Sequence, residues 1–384
     1  MKTRFLLAMA AFFAFVAGAL AQTSTSVTYK YTKIDFPGAT STEANSINNG
    51  NVIVGSYIDS SGLNHGFQFA NGTFTTISFP GAAETAVLGI NDLGDMVGWY
   101  KASIVVNPPP HGFLRHNGTF TTIDEPQSTF GTALVGINKS GVIIGNFDNS
   151  EGFVFQNGTF TLLNAPQQPG ESIDTQLNGI NNLGEVVGQV FSGDDWRGFW
   201  GPMNGSEFDF LAPLFSLDNQ VTGVNGRGDI VGCHDFGTPF IAFNVEGNEG
   251  SESTEKFPGQ ESLPNPLNGA SCPRSINFAR LIVGVLGSGP TDGYLAVPVL
   301  TLNVTSPANH ATVTNPVNVA ATASGANPIS QMQVWVNSKE IFHVSGGTLS
   351  ANINLPVGTN ERFVVQAVDS KGVIAKVVYT ITVH

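Results

Sequence analysis

The 384 residues carry a formal net charge of −13, only 12% of them are charged, and glycine (45) and phenylalanine (28) are abundant. This composition favours strands and tight turns over helices. An acidic surface of this kind repels phosphate backbones, which argues against nucleic acid as a partner.

The chain opens with Lys2 and Arg4, runs apolar from Phe5 to Val16 and leaves that run through Ala19-Leu20-Ala21. A basic start, a short apolar centre and a small-residue exit read as a secretory signal peptide over residues 1–21, with Gln22 as the first mature residue. The run is too short for a retained membrane span, and no later stretch is long and apolar enough to cross a bilayer. The mature chain is therefore expected to be secreted, extracellular or periplasmic, and monomeric. Losing the segment removes two of the 16 basic residues and none of the 29 acidic ones, which takes the charge from −13 to −15.

Residues 22–299 are organised by repetition. A small residue, an aliphatic and Asn recur at Ser46-Ile47-Asn48, Gly89-Ile90-Asn91, Gly136-Ile137-Asn138, Gly179-Ile180-Asn181, Gly223-Val224-Asn225 and Ser275-Ile276-Asn277. Seven residues after each Asn stands Gly55, Gly98, Gly145, Gly188, Gly232 or Gly284, always preceded by Val or Ile. Successive Asn residues are 43, 47, 43, 44 and 52 positions apart, close to the period of about 40 to 45 of a four-stranded propeller blade.

One repeat, residues 86–126, shows the strands. Ala86–Asn91 and Asp95–Tyr100 flank a turn at Gly94, and His111–His116 and Thr119–Asp124 flank Asn117-Gly118. Asn-Gly is the sequence of a type I′ hairpin, whose two central residues need positive φ. The turn recurs at Asn71-Gly72 and Asn157-Gly158, and in relaxed form at Asn204-Gly205. The sixth repeat lacks its fourth strand, and residues 29–37 match the missing pattern. The fold expected is all-β: a six-bladed β-propeller of four-stranded blades closed by the N-terminal strand, since closure removes exposed sheet edges. The small residue ahead of each aliphatic suits innermost strands crowded round an axis, or a bulge.

Two cysteines, Cys233 and Cys272, fall in consecutive repeats. An oxidising destination permits a disulfide; two separate buried thiols are the alternative.

Residues 300–384 lack the repeat and alternate apolar and polar positions, as at Gln333–Val336, Phe363–Val368 and Val377–Val383. Their length and turn punctuation predict an immunoglobulin-like β-sandwich. With no cysteine pair in the segment, Trp335 is expected to pack in a core without a disulfide.

The repeats, read as Gly-Ile-Asn, Val-Gly, His-Gly-Phe, Asn-Gly-Thr-Phe-Thr and Phe-Pro-Gly, resemble the HAF repeats of secreted bacterial proteins. The His-Ala-Phe signature stands here as His65-Gly66-Phe67 and His111-Gly112-Phe113 and departs further at Glu151-Gly152-Phe153 and Arg197-Gly198-Phe199. The resemblance covers residues 29–299 and implies an extracellular bacterial setting, with no established activity. Residues 301–384 are similar to bacterial immunoglobulin-like domains, which implies a spacer or adhesive role.

A meander puts the uniform first turns of the repeats on one face and the unlike loops on the other, and binding residues concentrate on variable loops of a rigid scaffold. The candidate ligand-binding residues on that face are Tyr57, Trp99, Tyr100, Asp194, Asp195, Trp196 and Arg197. Rings beside carboxylates suit a polysaccharide, and another extracellular protein is the second partner. No zinc-ligand spacing, serine-nucleophile elbow or phosphate-cradling loop occurs, so no cofactor, metal or catalytic residue is assigned. The function expected is non-enzymatic recognition or adhesion. The alternatives are a glycosidase or lyase with acids at the channel mouth, and a structural matrix protein. Arg227-Gly228-Asp229, an adhesion-like tripeptide, lies where other repeats carry turn residues and is read as turn chemistry.

Overall fold

The computed structural model describes residues 24–104, 108–148, 151–164, 175–192, 195–206, 208–210, 219–234, 238–243, 261–262, 271–287 and 291–384. The expected signal peptide and Asp194 lie outside these residues, as do Glu249, Glu252 and Glu255 of the acidic stretch ahead of the sixth repeat, and only the backbone of Asp195 and Glu261 lies within them. Every regular element among the described residues is a β-strand.

The first repeat is an antiparallel meander of Ser41–Ile47, Ile53–Ile58, Asn64–Ala70 and Thr73–Ile77. The second repeats it with Glu84–Ile90, Met96–Lys101, His111–His116 and Thr119–Thr122. The third and fourth follow the same order and touch through one parallel bridge, Glu151 to Thr175. The fifth ends in the two-residue strand Glu261–Ser262. The sixth supplies Ser271–Ile276, Ile282–Leu286 and the start of the long strand Asp292–Ser306, against which Ser24–Ile34 lies antiparallel.

That N-terminal strand begins earlier than the sequence pattern indicates and stops at Ile34. It stops because Phe36-Pro37-Gly38-Ala39 forms a tight turn, with the Ala39 N–H donating to Phe36 O at 3.1 Å and Gly38 at φ +81°. Its pairing runs from Ile34 opposite Gly293 to Ser24 opposite Val304. One strand thus edges both the sixth repeat and the sandwich.

Local chemistry explains the meanders. Asn71, Asn117 and Asn157 have φ of 51°, 48° and 52°, as two-residue hairpins require. The aromatic of each third strand fills the interior: Phe67, Phe113, Phe153 and Phe199 are fully buried, Phe240 is 1% exposed, and Tyr294 stands in the sixth repeat at 2%. Burying such a ring contributes roughly 2–3 kcal/mol. Successive repeats are joined by buried hydroxyls that sequence reading missed. The Thr42 Oγ1 accepts the Phe36 N–H at 3.0 Å, Thr85 the Phe79 N–H at 3.0 Å, and Thr132 the Glu125 N–H at 3.1 Å.

The first two strands of every repeat slip register at one place: Ala44/Ser46, Val87/Gly89, Leu134/Gly136, Leu177/Gly179, Val221/Gly223 and Pro273/Ser275. Each slip is a β-bulge that leaves one residue unpaired and re-aims its side chain. The small residue after it sits against the next repeat: a Cβ on Gly89 would lie 3.0 Å from Gly136 Cα, and one on Gly223 2.9 Å from Ser275 Cα. Bulge and crowding act together, and the arrangement is propeller-like.

The C-terminal domain packs two sheets. One contains the second half of Asp292–Ser306 with Val317–Gly325 and Thr348–Ile353; the other contains Thr312–Val313, Ile374–Val383, Gly358–Asp369, Ile329–Val336 and Lys339–Ser345. Its core holds Leu302, Val319, Met332, Val334, Val336 and Phe363. Trp335, expected in that core, is only half-buried, because the alternation that buries Val334 and Val336 turns it to the outer face. The Thr28 hydroxyl donates to Ile374 O at 2.8 Å, which ties the N-terminal strand to both sheets.

Candidate functional site

The repeated Asn residues gather at one end of the repeat array. Their side-chain oxygens accept N–H groups of the following turn, as Asn48 does from Val52 at 2.9 Å and Asn277 from Leu281 at 3.0 Å. Their amides reach the next repeat: Asn48 donates to Asn91 O (3.0 Å), Asn91 to Asn138 O (3.2 Å), Asn181 to Asn225 O (2.9 Å), Asn225 to Asn277 O (3.0 Å) and Asn277 back to Asn48 O (3.1 Å). Between Asn138 and Asn181 the link is made by the Lys139 N–H, which donates to Asn182 Oδ1 at 2.8 Å. From sequence the repeated Asn reads as bonding the turn that follows it, with a ring of ligands as the alternative. The ring follows from the second hydrogen-bonding end of each amide, which no single-repeat pattern shows.

Side chains cross over this end and narrow it. Asp92 accepts the Asn49 N–H at 2.8 Å and the Asn182 amide at 2.9 Å, while the Phe278 N–H donates to Asn49 Oδ1 at 2.8 Å. Desolvation pushes the Asp92 carboxyl up, but the donors from Asn49 and Asn182 outweigh it and hold the group below the usual carboxylate range. A cavity of about 80 Å³ remains beneath. Asp229 of the tripeptide 227–229 is fully buried, and Arg227 lies with its guanidinium 4.1 Å from the Phe278 ring centre. The tripeptide is turn chemistry.

Deeper along the axis, the six bulged residues Asn45, Leu88, Val135, Asn178, Thr222 and Arg274 line a second cavity of about 160 Å³. Asn45 donates to Val87 O at 3.0 Å, Asn178 to Val221 O at 2.9 Å, and Thr222 to Pro273 O at 2.7 Å, so three of the residues also bind the next repeat. Each precedes a repeat Asn by three positions. The signal was legible in principle, since this is a chemically unlike position inside an otherwise uniform motif.

The residues nominated from sequence are dispersed. Tyr57 stacks on Phe36 at 3.7 Å and 6°, contacts the His65 ring at 5.2 Å, and sets its hydroxyl 3.2 Å from Thr76 Oγ1. Tyr100 repeats this with Phe79 at 3.7 Å and 5°, His111 at 5.3 Å and Thr122 Oγ1 at 2.9 Å. Both rings have aromatic neighbours on their faces and brace the loops. His65 pairs with Asp59 at 2.9 Å and His111 with Asp124 at 2.8 Å. The bond from His65 and the Leu63 N–H hold the Asp59 carboxyl below its usual range. Asp148, also on this face, accepts the Phe130 N–H at 2.6 Å and the Thr129 N–H at 2.7 Å.

Trp99 is half-buried beside Lys101, whose ammonium is 5.9 Å from the ring centre. Trp196 lies 5.2 Å from Phe191, and the Arg197 guanidinium 5.1 Å from Phe210. Trp99 belongs to the second repeat and Trp196 to the fourth, with the third between them. Cys233 and Cys272 are bonded, with Cα atoms 5.4 Å apart, across the fifth and sixth repeats. Among the described residues no three His, Cys, Asp or Glu side chains converge as a metal site, and no helix is long and apolar enough to cross a membrane.

Comparison with known proteins adds the following. No curated protein matches the chain, and no HAF-repeat model matches the repeats. Among solved structures, YCF48 bound to D1 peptide aligns at 12% identity with TM-score 0.39, over 73% of this chain and 99% of that one. YCF48 from Cyanidioschyzon merolae aligns at 10% identity with TM-score 0.41, over 90% and 98%. An arginine mutant of AofleA from Arthrobotrys oligospora aligns at 8% identity with TM-score 0.33, over 93% and 94%. At these levels none of them bears on what this chain binds. Residues 301–367 match the model of the bacterial Ig domain, and the C-terminal unit is accordingly an Ig-like domain.

Proposed function

We propose that this chain is an exported, non-enzymatic recognition or adhesion protein. In this reading residues 1–21 are its signal peptide, residues 22–299 form a six-bladed propeller whose variable face binds an extracellular glycan or protein, and residues 300–384 hold that face away from its support. One observation carries the reading: the two cavities along the axis differ in what lines them. One end is a uniform Asn ring overlaid by side chains, whereas the six bulges present unlike residues to the 160 Å³ cavity. Uniform residues serve the scaffold, and unlike residues on a rigid scaffold serve recognition.

Binding is favoured over hydrolysis because Asp59 and Asp148, two carboxylates on the variable loops, are held by donors, as Asp124 is by His111 and the Gly112 N–H. Trp99, Trp196 and Arg197 remain the side chains proposed for contact, with Tyr57 and Tyr100 as their supports. The test is a screen of the purified chain against polysaccharides and extracellular proteins, with reducing-sugar release followed in parallel. Saturable binding without turnover, weakened by Trp99→Ala or Trp196→Ala, is expected. Unchanged binding by both variants would remove the site, and release of sugar would replace recognition with catalysis.

A further inference from the structure

The axial cavity has a polarity of its own. In ring order its lining runs Asn45, Leu88, Val135, Asn178, Thr222, Arg274, one residue from each repeat. Arg274 therefore has Thr222 and Asn45 as neighbours and Val135 across the axis, with Leu88 beside Val135. Four of the six lining residues are polar, one of them cationic, and Leu88 and Val135 form an aliphatic third of the wall.

Arg274 is exposed, and among the described residues no hydrogen bond or ion pair engages its guanidinium. In a chain with 29 acidic residues against 16 basic ones, an unengaged arginine at the axis is unusual. Every other arginine of the described repeats has a use: Arg115 and Arg197 lie over rings, Arg227 over Phe278, and Arg280 on a carboxylate. The bulge that unpairs Arg274 also aims it inward, and its neighbours Asn45 and Thr222 already bond backbone carbonyls. The guanidinium is the strongest donor left to the cavity.

We propose that this cavity is a carboxylate-binding site, with Arg274 gripping the anion and Leu88 and Val135 covering a short aliphatic body. A guanidinium presents two parallel N–H groups that match a carboxylate edge to edge. A single cation balances one negative charge and leaves a phosphate dianion half-neutralised, and the opposing aliphatic wall disfavours a ligand polar on all sides. The space of about 160 Å³ suits a short organic acid or the end of a glutamate side chain. The inference rests on the proposed recognition role for the variable face and specifies the chemistry at its centre.

The experiment uses the full chain in phosphate-free buffer, with sodium butyrate as probe, N-acetylglutamate amide as the side-chain mimic, and sodium chloride and butyramide as matched controls. Thermal unfolding and titration calorimetry are read on the wild type, Arg274→Gln and Leu88→Asn. The expected result is saturable stabilisation by butyrate, by the glutamate mimic, or by both, with none from butyramide. Arg274→Gln should weaken it about tenfold or more, the scale of a charge-assisted hydrogen bond. Leu88→Asn should weaken butyrate more than acetate, run beside it as the shorter carboxylate. The arm that binds tighter separates a free acid from an acidic side chain. Equal effects of butyrate and chloride, or undiminished butyrate binding by Arg274→Gln, would overturn the site. Butyrate binding with no partner in the macromolecule screen would leave this site standing and remove the recognition role; a partner bound equally by Arg274→Gln would do the reverse.

Discussion

Asp229, fully buried, takes both ends of the Arg280 guanidinium, Nε at 2.7 Å and Nη2 at 3.0 Å, and so joins the fifth repeat to the sixth. Arg280 sits at φ +64°, in a turn position that Gly94, Gly141, Gly184 and Gly228 fill in other repeats. A side chain there costs roughly 1–2 kcal/mol, which the ion pair offsets. Arg280→Gln is expected to lower stability by about 3 kcal/mol, because it removes the cation that faces a buried carboxylate. Arg280→Gly with Asp229→Leu should recover much of that loss, read as urea midpoints of the two variants.

Gly98 is fixed by the strand beside it. A Cβ there would lie 2.0 Å from Ala86 O and 3.0 Å from the Phe113 ring, and the equivalent Gly55, Gly188 and Gly232 meet carbonyls at 1.9, 2.0 and 2.0 Å. A backbone oxygen cannot rotate away, so Gly98→Ala is expected to cost about 3 kcal/mol or more. Thr122→Ala, on an exposed strand of the same repeat, should cost far less by thermal unfolding.

The disulfide closes a stretch of 39 residues. Chain-entropy reasoning gives it about 4 kcal/mol at most. Reduction, or Cys233→Ser with Cys272→Ser, is expected to lower the unfolding temperature while leaving the strand signal in circular dichroism intact. An unchanged unfolding temperature would show that the bond does not constrain the chain.

Tyr31 lies where the N-terminal strand meets the sixth repeat, its ring 5.8 Å from that of Tyr294 and its buried hydroxyl without a hydrogen-bond partner among the described residues. Desolvation raises its pKa from 10 to about 12, and burial raises Tyr294 as well. The folded chain holds the proton more tightly than the unfolded one. This contribution to stability is complete below pH 10 and is lost as the pH rises from 10 through about 12. Urea midpoints measured across that interval should fall, and Tyr31→Phe should flatten the decline.

The motifs that made the fold legible are those whose physics is complete within one repeat. Asn-Gly fixes a hairpin through two backbone angles, and Val-Gly marks a place with no room for a Cβ. The third-strand aromatic announces a core position in the same way. What the sequence did not show depends on neighbours. Tyr57 and Tyr100 are candidate ligand-binding residues in the sequence, and their stacking on Phe36 and Phe79, twenty-one residues away in the chain, is visible only in the structure. Trp335 was misplaced because alternation names two faces without saying which is inner. Arg274 shows in the sequence only as an unlike position inside a uniform motif, and it takes the bulge to turn it to the axis.

The N-terminal strand finds its whole partner in Asp292–Ser306, at the far end of the repeats. During synthesis Ser24–Ile34 therefore lacks this partner until residue 304 has been made. For that period both the opening strand and the last repeat expose open edges, the state most vulnerable to mispairing with other chains. Assembly of the ring is then a late event that awaits nearly the entire polypeptide, and the Ig-like domain's first sheet gains its edge strand in the same step.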